Sequence, residues 1–386
     1  MTCQIPEPSR HATVAPVETS RYHGDSLAQM TTIGVGGPVA AVVNASSETE
    51  IIDAVSTADA EGRPLLVVGG GSNILASDKP FDGVVVHDTR CEIETLMEDG
   101  CGGAEMRLSA GTPWDEAVVY AIEHGWMGVE ALSGIPGSVG AAPVQNIGAY
   151  GQEVAETLAQ VRTWDRRTNQ IRTLFLSDLE FGYRDSILKR SIGEFGASPR
   201  WVVLSVTFHM RRATLSRPIG YSQLARTLGI ELGERAPAAD VRAAVLELRA
   251  AKGMLLNDAD RDTYSLGSFF TNPVLSEEQA AQLPAQAPRF GVAKHDAVNQ
   301  IGAAAPRIEG QVKTSAAWLI DHAGFSAGYN MPGPAALSTK HCLALTNRGG
   351  ASGEDIADLA RTIRDGVEEK FGVRLAPEPV LVGLEI

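Results

Sequence analysis

The chain has 386 residues, 44% of them hydrophobic and 21% charged, enough for two or three domains with full cores. Its 33 basic residues against 47 acidic ones give a formal charge of −14, which argues against a general nucleic-acid binder, since such a protein needs basic surface to replace counterions. No apolar run approaches the roughly 20 residues of a membrane span, and Cys3, Cys91, Cys101 and Cys342 have neither metal-ligand nor disulfide-framework spacing, so a reducing cytoplasm is the expected home.

Residues Met1 to Tyr22 mix Pro, Ser, Thr and single charges with no apolar centre, and are expected to form a disordered or loosely attached leader, not a secretory signal. From Thr31, Thr-Thr-Ile-Gly-Val-Gly-Gly-Pro leads into a strand over 39–44. Ser47 and Glu50 have capping-box spacing for a helix with Ile51, Val55 and Ala58 on one face, stopped by Gly62 and Pro64. A strand over 65–68 runs straight into Gly69, Gly70, Gly71, Ser72 and Asn73. Open α/β sheets place ligands at the carboxyl end of such a strand. Alone, a triple glycine is equally a tight turn, and it is not the Gly-x-Gly-x-x-Gly dinucleotide fingerprint.

A strand is expected over 83–86, after which the chain changes character near Cys91. Beyond an alternating strand over 106–109, Thr112 caps a helix with Pro113 first and Asp115 third, its apolar face formed by Trp114, Val118, Ala121 and Ile122. The stretch 131–151 then carries no charged side chain but five glycines and two prolines. Its backbone must turn repeatedly and leave N–H groups available, which suits a large, flat or anionic ligand. The alternative, a loop buried for its own sake, would leave many backbone polar groups in need of partners.

Segments 160–164 and 170–174 read as a hairpin, and 201–210 as a strong strand. Between them lies Phe181-Gly182-Tyr183-Arg184-Asp185-Ser186, whose arginine is either a packed stem with its head in water or a positioned cation. Residues 216–233 read as a loop. A helix opening at Asp240 carries Val241, Ala244, Val245 and Leu248 as its stripe and ends at Lys252, ordinarily a dipole partner. In Gly267 to Pro273 two aromatics anchor a turn that holds Ser268 and Asn272 in place. The Ala/Pro-rich stretch 281–306 resolves into no elements. A short helix over 316–322, a strand over 342–346 and a last helix begun by Ser352 and Asp355 complete the order, with Ile356, Leu359, Ile363, Val367 and Phe371 on the final core face. In the apolar tail 375–382, Glu378 is either solvent-facing or buried for a purpose, and Pro377 and Pro379 argue against a central strand. No internal repeat and no metal cluster is found.

Six stretches in one order, 32–37, 69–73, 134–151, 183–186, 267–273 and 377–378, resemble the bacterial UDP-N-acetylenolpyruvoylglucosamine reductase family, and the resemblance spans 31–383. It implies an α+β fold in which two α/β subdomains form an FAD-binding fold of the PCMH/vanillyl-alcohol-oxidase type beside a third, α+β substrate-binding domain. The corresponding division is a leader over 1–21, subdomains over 22–90 and 91–213, a substrate loop and connecting helix over 214–253, the third domain over 254–372, and a tail over 373–386 that returns to the active site.

The resemblance also implies that Gly69, Gly70, Gly71, Ser72 and Asn73, with Ser133, Gly134, Ile135, Gly137, Ser138, Gly140, Ala141, Gly148 and Tyr150, hold FAD. NADPH would reduce it, and the flavin would pass a hydride to C3 of UDP-N-acetylglucosamine enolpyruvate to give UDP-N-acetylmuramate, a peptidoglycan precursor. By the same resemblance Ser268 is the proton donor, Arg184 and Glu378 stabilise the intermediate, and Tyr221, Lys252 and Asn272 lie near the UDP phosphates. The chain departs from the family at Gly-Tyr-Ser-Gln-Leu (220–224) where Tyr-Gly-Asp-Leu is usual, at Thr271 where many relatives carry lysine, and at Val380 where some carry arginine. Small molecules are the expected partners, with no nucleic acid, membrane or metal. The competing readings are another FAD oxidoreductase or oxidase of the same flavin fold, and a flavin-binding regulator that has lost turnover.

Overall fold

The computed structural model describes residues 14–100, 102–293 and 307–386. Consecutive apolar residues build a three-stranded parallel sheet in the order Val39–Ala45, Phe81–Asp88, Leu65–Val68. The helix Glu48–Ala60 starts where expected, with Ser47 accepting from the Glu50 amide, and packs Ile51, Val55 and Ala58 against this sheet.

A second, antiparallel sheet runs Gln170–Phe175, Leu158–Asp165, Trp201–Arg212, Gly103–Ser109, Ile93–Asp99. The expected hairpin is its edge, with Trp164 opposite Ile171. Strand Ile93–Asp99 was not foreseen, because nearly all its side chains are exposed and carry no apolar alternation. The helix Trp114–Glu123 begins after Pro113, one residue later than expected. Thr112 does not cap it: its hydroxyl exchanges hydrogen bonds with Glu92 instead. Trp114, Ala117, Val118 and Ala121 cover this sheet.

The third core gathers the helices Ala316–His322 and Gly353–Phe371 around Phe269 and Phe270. The final helix has the expected capping box between Ser352 and Asp355 and ends at Gly372 with φ +64°. A three-stranded antiparallel sheet, Val274–Ser276, Arg307–Lys313, Phe290–Ala293, stands beside it. The 281–306 stretch, in which the sequence shows no elements, contains the end of helix Glu277–Gln282 and the strand Phe290–Ala293, while its part from 294 to 306 lies outside the described residues. The expected strand 342–346 is displaced toward the C-terminus and runs over Leu345–Asn347.

The 216–233 stretch is not merely a loop. It holds the helix Ser222–Leu228, which packs with Ala238–Ala251 on Ala131. No side-chain cap marks its start, so its seven residues carry little local signal.

The leader is also tighter than expected over its described part. The amide of Val17 donates to Asp115 at 2.8 Å, Ala15 O accepts from Arg242 at 2.7 Å, and Thr19 O accepts from Gly137 N at 3.0 Å. Arg21 donates to Thr32 O and Thr263 O at 2.8 and 2.9 Å and lies 3.9 Å from the Tyr264 ring centroid. These partners are remote in sequence, so no local pattern announces them. Residues 1–13, including Cys3, and Cys101 lie outside the described residues. Cys91 and Cys342 are free thiols. Among the described residues no helix is long and apolar enough to cross a membrane, and no acidic, His or Cys cluster could hold a metal.

Candidate active site

A cavity of about 540 Å³ opens where the three cores meet. One wall is Gly69 to Asn73, at the carboxyl end of the parallel strand Leu65–Val68. The facing wall is the uncharged loop, with Ile135, Gly137, Ser138, Gly140, Ala141, Gly148 and Tyr150 on the surface. The two loops approach so closely that a Cβ on Gly70 would stand 2.8 Å from Gly137 Cα and 2.7 Å from Thr19 O. Among the described residues the amides of Gly70, Gly71, Ser72 and Asn73 donate to no backbone carbonyl, and such unspent donors form a cradle for an anionic group.

Ser133 and Gly134 do not reach this surface. Ser133 is buried with its hydroxyl on Glu130 O at 2.7 Å, and Gly134 spends its amide on Asp115 at 2.7 Å. Asp115 is fully enclosed in a bidentate pair with Arg242, so Gly134 fastens the loop from behind.

Arg184, Glu378 and Ser268 all line this cavity. Arg184 is left-handed, with φ +55°. Its guanidinium is laid on Asn146 O at 3.2 Å and Gly148 O at 2.5 Å, with Nε 3.4 Å from Glu378 Oε1. It is therefore the positioned cation, not a packed stem. Glu378 belongs to the buried alternative, with its side chain 12% exposed. Burial holds its carboxyl above the usual range, while Arg184 and Lys189 pull the other way.

Two backbone pairings bring Glu378 here. Its amide donates to Phe269 O at 2.8 Å, which sets it beside Ser268, and the Val380 amide donates to Asn73 O at 2.9 Å. The tail strand Val380–Val382 then runs parallel to Ile74–Ala76, the strand that follows the triple glycine. Buried Phe269 and Phe270, 5.2 Å apart edge to face, anchor the Ser268 turn.

Lys252, at the end of helix Ala238–Ala251, lies on the same wall and donates to Gln223 at 2.9 Å, with its ammonium 5.6 Å from the Tyr150 ring centroid. Burial and the Arg249 charge hold it below its ordinary value. Tyr221 reaches the cavity rim, edge-on to Tyr150 at 5.5 Å. Asn272 caps Ala316 N at 2.9 Å and hydrogen bonds Tyr183.

The lining also includes Lys189, Arg249 and His341, which the sequence reading did not single out. Arg249 lies one helical turn before Lys252, a spacing that could have signalled it. His341 stands in a loop with no periodic signal.

The chain is similar to known proteins over most of its length. The model of the C-terminal domain of UDP-N-acetylenolpyruvoylglucosamine reductase matches residues 259–382, and an FAD binding domain model matches 39–174. UDP-N-acetylenolpyruvoylglucosamine reductase of Cutibacterium acnes is 48% identical, over 93% of this chain and 90% of that protein. The reductase of the same name from Thermobifida fusca is 46% identical, over 95% of this chain and 99% of that protein. The crystal structure of the Thermus caldophilus reductase superposes with a TM-score of 0.58, covering 92% of this chain and 97% of that one at 24% identity, which speaks for a shared fold.

Proposed function

The chain belongs to the UDP-N-acetylenolpyruvoylglucosamine reductase family, and from that premise we propose how its own residues divide the work. It is an FAD-containing oxidoreductase that uses NADPH to reduce UDP-N-acetylglucosamine enolpyruvate in peptidoglycan precursor synthesis. The observation that carries the residue assignment is that the paired Arg184 and Glu378 line, together with Ser268, one cavity walled by charge-free glycine loops.

The cavity fits a flavin dinucleotide. The unspent amides of residues 70–73 suit its pyrophosphate, and the missing Cβ atoms let a flat ring lie against the backbone. When bound, FAD carries the hydride from NADPH to C3 of the enolpyruvyl group. Hydride addition there leaves negative charge at C2, shared with the neighbouring carboxylate. Arg184, already fixed on two carbonyls, presents donors to that charge without reorganising. Glu378 orients the guanidinium, and the Ser268 hydroxyl gives its proton to C2. Lys252, Tyr221 and Asn272 bind the UDP phosphates.

Residues 22–90 and 91–213 act as the flavin-holding subdomains, 214–253 as substrate loop and connecting helix, 254–372 as the substrate domain, and 373–386 as the tail that delivers Glu378. The working location is the cytoplasm, where NADPH and nucleotide sugars are found, and the partners are these small molecules without nucleic acid or membrane. Ser268→Ala tests the chemistry: it retains flavin reduction by NADPH and slows reoxidation by the enolpyruvyl substrate by about 100-fold or more. Equal slowing of both half-reactions would make Ser268 a structural residue only.

A further inference from the structure

Lys189 stands on the four-residue helix Ile187–Arg190 and lines the cavity beside the Arg184–Glu378 pair. Its ammonium donates to the carbonyl of Arg184 at 3.2 Å. That carbonyl belongs to a residue at φ +55°, a left-handed conformation that costs a non-glycine residue about 1 kcal/mol or more and persists only where its surroundings enforce it. A bridge between Gly182 and Asp185 closes the turn from one side, and Ser186, which accepts from the Lys189 amide at 3.1 Å, closes it from the other. The lysine ammonium completes the enclosure.

The same ammonium faces Glu378 and Asp185 as anions and Arg184 as a like charge. Asp185 is already engaged by Arg190. Glu378 faces both Arg184 and Lys189, and its charge reaches Tyr183, over whose ring Lys313 stands at 4.3 Å. Burial pushes the Lys189 ammonium below its ordinary value and the Glu378 carboxyl above its own. Half-burying an ammonium beside a guanidinium is costly, and an apolar residue would hold the helix at lower cost if packing were its only duty.

We infer that Lys189 is a positioning residue for the reduction: it locks the left-handed backbone of Arg184 and serves Glu378 as a second counter-cation. Each terminal nitrogen of Arg184 spends one hydrogen on a loop carbonyl and keeps the other. Because Glu378 lies against Nε, those hydrogens remain free for the substrate carboxylate. The inference rests on the roles proposed above for Arg184 and Glu378.

The test is the pH dependence of single-turnover reoxidation of the reduced, FAD-loaded enzyme by UDP-N-acetylglucosamine enolpyruvate, in wild type, Glu378→Gln, Lys189→Met, Lys189→Arg and the Met/Gln double variant. Melting curves confirm that each variant is folded. Glu378→Gln removes the ionisation that belongs to Glu378. Lys189→Met moves that ionisation up by about one pH unit or more, because an opposite charge has been taken away. Lys189→Arg leaves it nearly in place, and Lys189→Met alters the profile no further once Glu378 is Gln. An ionisation that stays put in Lys189→Met, or moves equally in Lys189→Arg, overturns the inference while leaving the Glu378 assignment intact. A Glu378→Gln enzyme with an unaltered profile overturns both.

Discussion

At the scale of single residues, the decisive feature is that Arg184 is immobilised before any substrate arrives. Two carbonyls and one carboxylate hold it, and its backbone is left-handed. A lysine could supply the charge but not the planar fork. Arg184→Lys therefore lowers kcat by about 100-fold or more, with flavin content unaltered. Turnover near that of the parent in this variant would remove Arg184 from the reaction.

Part of this was legible in the residue pattern. Phe269 and Phe270 marked the turn that holds Ser268, whereas the aromatics around Arg184 left a packed stem and a positioned cation equally open. Glu378 was readable only as an anomaly, a carboxylate in an apolar tail. Nothing local says that its amide pairs with Phe269, because that contact depends on how distant segments are brought together, and the reach of Lys189 back to Arg184 five residues earlier depends on a left-handed turn that no residue type at position 184 announces.

Among the elements, those with strong caps and periodicity were found close to their true places. The helix Glu48–Ala60 has Ser47, the last helix has Ser352 and Asp355, and the hairpin has its alternation. Elements without such signals were missed, among them the exposed strand Ile93–Asp99 and the uncapped helix Ser222–Leu228. The N-terminal strap was misjudged for a related reason: its polar composition resembles a loose leader, yet Thr19 and Arg21 find partners far along the chain. The strap bears on the site, since Thr19 O and Gly137 enclose Gly70 from two sides. Gly70→Ala places a methyl group against backbone on both, so the purified variant retains less than about one tenth of the parental flavin while still melting cooperatively. A full complement of flavin in Gly70→Ala would show that the loop contact is not needed to hold it.

Over the whole molecule, the chain closes on itself at the site. The strand after the triple glycine pairs with the C-terminal tail, so the glycine loop and Glu378 flank one parallel ladder. Three cores meet at this point, so polar side chains of the lining are partly withdrawn from solvent. His341 illustrates the consequence for stability. Burial, with help from Lys252, pushes its pKa down to about 4, so the unfolded chain binds the extra proton first as pH falls. The stability tied to neutral His341 is complete above about pH 6.5 and is lost as pH falls toward 4, a loss on the order of 1–3 kcal/mol. Urea denaturation at about pH 7.5 and about pH 5 should show this loss in the parent and a smaller one in His341→Gln. Identical losses in both proteins would place the acid sensitivity elsewhere.

The central claim, that a bound flavin takes a hydride from NADPH and passes it to the enolpyruvyl substrate, is tested most directly by anaerobic absorbance titration of the purified protein. NADPH should bleach a bound flavin band, and UDP-N-acetylglucosamine enolpyruvate should restore it without oxygen. A protein that holds no flavin, or one whose bleached band returns only when air is admitted, would contradict the account.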